Sequence, residues 1–266
     1  ERTNDAYLPG VLLPSSLEVS SDLCACADRD VIVLAVPTIG MPSLLDRLAG
    51  CASPPRIVIN LAKGLDRETH RTMSELICER FPEASVFTLS GPSHAEEVGR
   101  DVPTAVVLAG PDSEQGLLLQ KEVSTARFRV YRSHDIRGVE LCSTVKNIIA
   151  VATGVSDGLG YGDNSRGALI TRGLAEMVRF GRVFGVQEST FFGLSGLGDL
   201  VTTCTSRHSR NRAVGMRLGR GEPLAEILQS MTSVAEGVYA TDTVWSLAKE
   251  HAIDMPITDA VHRLLR

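Results

Sequence analysis

The sequence predicts a mostly parallel α/β sheet domain followed by an all-helical domain. Two features of the pattern lead there. In the first half, short β-rich runs that are apolar at every position alternate with helix-like stretches. Such runs suit strands covered on both faces, and the alternation suits helices packed on each side of a parallel sheet. From Ser133 to Arg266 the strand pattern disappears and long helical stretches take over. The boundary is placed at Tyr131-Arg132, giving residues 1–131 and 132–266.

The elements follow in order. Val31-Ile32-Val33-Leu34-Ala35-Val36 is the first strand run, stopped by Pro37, which has no N–H to offer a ladder. Ile57-Val58-Ile59-Asn60-Leu61 is the second, ending at Gly64, and Ser85-Val86-Phe87-Thr88-Leu89 the third, ending at Gly91-Pro92. Residues 104–109 and 128–131 give the fourth and fifth. Helices are expected between them over 43–48, 68–80 and 113–123. The back half predicts helices over 136–153, 167–184, 212–218, 224–231, 240–251 and 258–264.

Bulk properties exclude several classes. The net charge of -5 leaves no electrostatic footprint for nucleic acid or an anionic membrane. No apolar run reaches about 18 residues, so no membrane insertion is expected. The six cysteines, at 24, 26, 51, 78, 142 and 204, lack a metal-ligand spacing. They read as reduced, mostly buried thiols, which points to the cytoplasm, and no metal site is expected.

Ligands bind outside the carboxyl ends of strands in open parallel sheets. The loops Leu61-Ala62-Lys63-Gly64-Leu65 and Ser90-Gly91-Pro92-Ser93-His94-Ala95 hold that position. Lys63 is either a cation over the crevice or a solvated loop lysine. Gly91 to Ala95 is either a turn presenting backbone N–H groups to a ligand or a plain strand-to-helix turn. Lys146 is the only charged residue from Leu141 to Ser156. On an apolar helix it either snorkels to water or is buried with a lowered pKa suited to proton transfer. Asp199 closes the glycine-dense Gly193-Leu194-Ser195-Gly196-Leu197-Gly198 and either partners Lys146 or caps a helix after a loop. Ser209-Arg210-Asn211 opens a short helix, as a phosphate seat or as an exposed cap. Gly158-Leu159-Gly160-Tyr161-Gly162 follows a helix and is read as a loop; no true G-x-G-x-x-G occurs.

Taken in order, these stretches resemble the bacterial NAD(P)-dependent glycerol-3-phosphate dehydrogenases. The resemblance rests on Tyr7-Leu8-Pro9-Gly10, Val33-Leu34-Ala35-Val36-Pro37, Ala62-Lys63-Gly64-Leu65, Ser90-Gly91-Pro92-Ser93, Val145-Lys146-Asn147-Ile148 and Ser156-Asp157-Gly158. It continues through Ala168-Leu169-Ile170-Thr171-Arg172-Gly173, Gly196-Leu197-Gly198-Asp199-Leu200, Thr203-Cys204-Thr205, Ser209-Arg210-Asn211, Glu236-Gly237 and Met255-Pro256-Ile257-Thr258. The resemblance implies a Rossmann-like domain followed by an all-α domain. The implied activity interconverts sn-glycerol 3-phosphate and dihydroxyacetone phosphate with NAD or NADP, supplying glycerol 3-phosphate for phospholipid synthesis.

By the same resemblance Lys146 is the catalytic lysine and Asp199 its polar partner. Lys63, Gly91, Ser93, Ser209, Arg210 and Asn211 contact substrate. Lys63, Ala95, Arg210, Val234 and Glu236 contact the cofactor. A small-molecule substrate and a possible homodimer are implied as well. The family opens with a strand, a glycine-rich loop, a helix and a second strand that are absent here. The expectation is therefore an incomplete sheet domain, its first β-α-β missing, and little or no activity from this chain alone. Two alternatives remain open at this point: a related β-hydroxyacid dehydrogenase, or a non-catalytic paralogue.

Overall fold

The computed structural model describes residues 2–27, 29–51, 53–231 and 234–266. Strands β1 (Thr3–Asn4) and β2 (Leu8–Leu12) form a small antiparallel pair at the front, where the pattern gave no signal. A one-turn helix, α1 (Cys24–Ala27), follows. The main sheet then runs in the order β3 (Val31–Leu34), β4 (Ile57–Asn60), β5 (Ser85–Ser90), β6 (Thr104–Ala109) and β7 (Phe128–Ser133). Strands β3, β4 and β5 are mutually parallel, as are β6 and β7, whereas β5 and β6 are antiparallel. The cause is the connection across residues 91–103. Its only helix, α4 (Ala95–Val98), is a single turn, too short to carry the chain back for a parallel crossover. Three parallel strands therefore end on one edge, and the loops of interest lie there.

Period-two burial places Val58 and Val86 on one face and Ile59 and Phe87 on the other. The first face packs on α2 (Met41–Ala49) and α3 (Met73–Arg80) through Met41, Leu45, Leu48, Met73 and Ile77. The second packs on α5 (Glu114–Val123) through Leu119. The first strand departs from the expectation of two covered faces. Ile32 and Leu34 are buried, but Val31 and Val33 are exposed, and β3 pairs only with β4 among the described residues. The expected helix over 68–80 starts late, at Met73. Asp66 accepts hydrogen bonds from the N–H and hydroxyl of Thr69, which hold a turn, and a Thr72/Glu75 capping box then starts α3.

Beyond β7 the back half holds helices and no strand among its described residues. Helix α6 (Ile136–Gly158) forms its axis, buried from Val139 to Val151, and α7 (Asp163–Val183) lies against it. By length and composition α6 could cross a membrane, but here it is the core helix of a folded domain. Helices α8 (Glu188–Phe192), α9 (Asp199–Thr205), α10 (Arg210–Gly219), α11 (Leu224–Gln229), α12 (Glu236–Glu250) and α13 (Pro256–Leu264) complete the domain. The chain crosses α10 over α6 at bare backbone. A Cβ on Gly154 or Gly158 would collide with the main chain of α10, and one on Gly215 or Gly219 with the main chain of α6. Only glycine permits so close an approach.

The cysteines correct the expectation of reduced, mostly buried thiols. Cys24, on α1, and Cys51, just after α2, form a disulfide across a Cα–Cα distance of 5.5 Å. Cys26 and Cys78 are exposed, while Cys142 and Cys204 are buried. Cysteine usage therefore gives no support to a cytoplasmic location.

Candidate active site

The site begins where β4 ends. Asn60 turns its side chain back along its own loop, accepting from the Ala62 N–H at 2.9 Å. Lys63, three residues after Asn60, projects over the strand ends, and its Nζ donates to the Gly91 carbonyl at 3.1 Å. Gly91 has φ +141°, and a Cβ there would meet the Val106 Cα at 3.1 Å, so this turn requires glycine. Ser93 Oγ donates to the same carbonyl at 3.1 Å.

Lys146 comes from the other side, on α6. It does not snorkel: its side chain is only 4% exposed. The Asp199 carboxylate sits between the two lysines, with Oδ1 2.8 Å from Lys146 Nζ and Oδ2 2.9 Å from Lys63 Nζ. Lys146 Nζ also donates to Thr203 Oγ1 at 2.8 Å, and that hydroxyl donates to the Asp199 carbonyl at 2.6 Å. The glycine-dense segment is no loop and Asp199 no cap. Residues Leu194–Gly198 form a π-helical turn running directly into α9, with Asp199 already helical. The wider turn carries the carboxylate inward, and π-turns inside helices often mark functional sites.

Burial lowers the Lys146 pKa to about 8; Lys63's charge adds to the shift and Asp199 opposes it. For Asp199 burial pushes upward, yet the two ammonium groups outweigh it and the carboxyl lies below its ordinary value. The carboxylate thus stays charged while Lys146 exchanges its proton near neutral pH. Asp199→Asn removes the group that holds the proton on Lys146. The expected outcome is an apparent lysine pKa below about 8 in a pH–rate profile, with turnover down by about 10²-fold at neutral pH.

Farther along, Ser209 caps α10, accepting from the Arg212 N–H at 3.2 Å. Asn211 is buried and engaged at both ends of its amide. It donates to Asn147 Oδ1 at 2.9 Å and accepts from the Gly237 N–H at 2.9 Å, tying α10 and α12 to the residue beside Lys146. Arg212 is held by Asp157 at 2.7 Å. Arg210 is exposed and forms no salt bridge among the described residues. Glu236 crosses between domains, accepting from Thr38 N–H at 3.0 Å and Thr38 Oγ1 at 2.7 Å, just beyond β3. Ala95 is exposed at the start of α4, and Val234 is half-buried before α12.

The structure therefore joins Lys63, Gly91, Ser93, Lys146 and Asp199 in one contact network and links Asn211 to it through Asn147. Ala95, Arg210 and Val234 make no side-chain hydrogen bond into that network among the described residues. Three contributors were not singled out from sequence. Thr203 lies four residues after Asp199, a spacing that places both on one helical face. Thr38 follows a strand end, as Lys63 does. Glu140, two turns before Lys146, is buried. It accepts from Asn60 Nδ2 at 3.0 Å, the Ser74 N–H at 3.1 Å, Ser74 Oγ at 2.5 Å and Thr88 Oγ1 at 3.0 Å, clamping α6 to β4, α3 and β5. Its carboxyl is raised by burial, against the pull of those donors.

Loops at the carboxyl ends of parallel strands, faced by a buried amine from the helical domain, fit the class of two-domain nicotinamide-linked dehydrogenases. Residues 1–116 match the family described as NAD-dependent glycerol-3-phosphate dehydrogenase N-terminus, and residues 135–266 match the C-terminus of the same family. The chain belongs to the NAD-dependent glycerol-3-phosphate dehydrogenase family. The glycerol-3-phosphate dehydrogenase [NAD(P)+] of Geobacillus kaustophilus is 47% identical over 100% of this chain and 78% of its own length. That of Desulfitobacterium hafniense is 43% identical over 99% and 75%. A crystal structure of glycerol-3-phosphate dehydrogenase from Coxiella burnetii superposes with a TM-score of 0.96 at 42% identity, covering 100% of this chain and 82% of that one. Membership decides against the β-hydroxyacid alternative.

Proposed function

We propose that the protein interconverts sn-glycerol 3-phosphate and dihydroxyacetone phosphate, and thereby supplies glycerol 3-phosphate for phospholipid synthesis. The observation that carries this reading is the buried Lys146–Asp199–Lys63 arrangement at the strand ends. Reduction of a ketone builds negative charge on its oxygen, and a fixed ammonium beside it stabilises that charge. Lys146 gives a proton to the carbonyl oxygen in reduction and takes it from the hydroxyl in oxidation. Asp199 holds the amine in place, and Lys63 adds positive charge from the sheet side.

The residues present fit the nicotinamide end of a dinucleotide. Lys63, Ala95 and Glu236 all sit at or against loops following parallel strands on one edge, where such cofactors lie. When bound, NAD(P)H supplies the hydride. Arg210 at the start of α10 grips the phosphate, with Ser209 and Asn211 fixing the helix end that carries it. Binding energy from the non-reacting phosphate then orients the carbonyl.

The test is turnover. Full-length protein offered dihydroxyacetone phosphate and NADH or NADPH is expected to consume reduced cofactor and form glycerol 3-phosphate mole for mole. Absence of that product from protein that binds both ligands would sink the reading. Arg210→Ala is expected to raise KM for dihydroxyacetone phosphate by about 10- to 100-fold, the range of a charge-assisted contact. Its effect on unphosphorylated dihydroxyacetone is expected to be small. A homodimer in the cytoplasm belongs to the same reading, and sedimentation velocity checks the dimer.

A further inference from the structure

His94 follows Ser93 in the turn after β5 and has no task in the mechanism above. It precedes α4 and makes no capping hydrogen bond. Its Nε2 is sealed from solvent, yet has no hydrogen-bond partner among the described residues. A buried nitrogen left unpaired is costly, so an arrangement that keeps one is poised for a partner. The surroundings indicate which partner. The imidazole sits 6.0 Å, ring to ring, from His208, the residue before the Ser209-Arg210 helix start. Of the nearby charges, Lys146 acts on it most strongly. It thus lies near the residue that precedes the Ser209-Arg210 helix start and within reach of the Lys146 charge.

We infer that His94 is a substrate-binding residue whose Nε2–H donates a hydrogen bond to the phosphate of the three-carbon substrate. The inference rests on the dehydrogenase reading above and adds a specificity contact to it. The titratable and charged groups around the ring are Lys146 from α6, Asp199 from α9, Lys63 from the loop after β4, Glu96 on α4 and His208 before α10. Burial, then Lys146, hold the imidazole below its ordinary pKa, with Asp199 and Glu96 opposing. At neutral pH the ring is therefore uncharged and contributes a directed N–H, complementing Arg210, which contributes charge.

The test uses glycerol 3-phosphate, inorganic phosphate and glycerol as probes on protein with 15N-labelled histidine. Glycerol 3-phosphate and phosphate are expected to shift the His94 Nε2 resonance, and glycerol to leave it in place. His94→Phe keeps a ring at this position without Nε2. It is expected to weaken glycerol 3-phosphate binding by about 10- to 100-fold. His94→Gln, which restores a donor, recovers part of that loss and carries the test if the Phe variant does not fold. In turnover, the preference for dihydroxyacetone phosphate over dihydroxyacetone is expected to fall by the same factor as binding. Unchanged affinity in a folded variant, or equal losses on both substrates, would overturn the contact while leaving the dehydrogenase reading intact. Wild-type protein that neither binds glycerol 3-phosphate nor reduces dihydroxyacetone phosphate would overturn both.

Discussion

Lys146→Ala is expected to lower kcat in both directions by at least about 10³-fold, from loss of both a proton donor and a fixed charge at the developing oxyanion. KM for the cofactor should change little. The pH profile separates chemistry from structural damage. In wild type the acid form of Lys146 serves reduction, so the rate of dihydroxyacetone phosphate reduction is full below about pH 8 and falls as pH rises through it. The base form serves oxidation, so glycerol 3-phosphate oxidation rises through the same value. Both inflections should vanish in Lys146→Ala. Lys146→Arg, which stays protonated, should lose oxidation at every pH. Wild-type profiles that are flat through this region would remove Lys146 from the proton-transfer role.

Gly215→Ala is expected to destabilise the protein by roughly 3 kcal/mol or more, at or beyond the upper end of ordinary overpacking. The added methyl would lie within 3.0 Å of the Val151 carbonyl, a backbone atom that cannot swing aside. For a domain of this size that corresponds to a fall in Tm on the order of 10 °C, measured by thermal denaturation. The paired control is Gly167→Ala on α7, where a Cβ would meet nothing within 4 Å. There the helix gains about 0.5–1 kcal/mol from a less flexible unfolded chain, and Tm should rise slightly. Equal and small effects at both glycines would mean that the α6–α10 crossing is looser than described.

Much of this architecture is legible in the residues themselves. The five main strands and the long helices announce themselves through apolar periodicity, because burial on one or two faces is what periodicity encodes. Lys146 is legible as an isolated charge on an apolar helix and Asp199 as one of two readings for its partner, but the bridge to Lys63 is not. The Lys63–Asp199–Lys146 contact joins residues far apart in sequence, and no local pattern carries such pairing. The π-turn before Asp199 is not legible, because a segment rich in glycine and serine fits an interhelical loop equally well. The strand reversal between β5 and β6 escaped for a related reason: both directions produce the same apolar run. Asn211 was legible as polar and near a helix start, but its two partners, Asn147 and the Gly237 N–H, come from other helices. The Cys24–Cys51 pairing likewise depends on where α1 settles, which its composition does not declare.

The glycine crossing of α6 and α10 has a consequence for what the enzyme accepts. Lys146 rides on one of these helices and Arg210 on the other, and the two touch main chain to main chain. On the proposed roles, the span from carbonyl oxygen to phosphate is gauged by a rigid caliper with no side chains to compress. Sugar phosphates with one carbon more or fewer between those groups should fit one jaw at a time. Selectivity for chain length is thus set by the backbone.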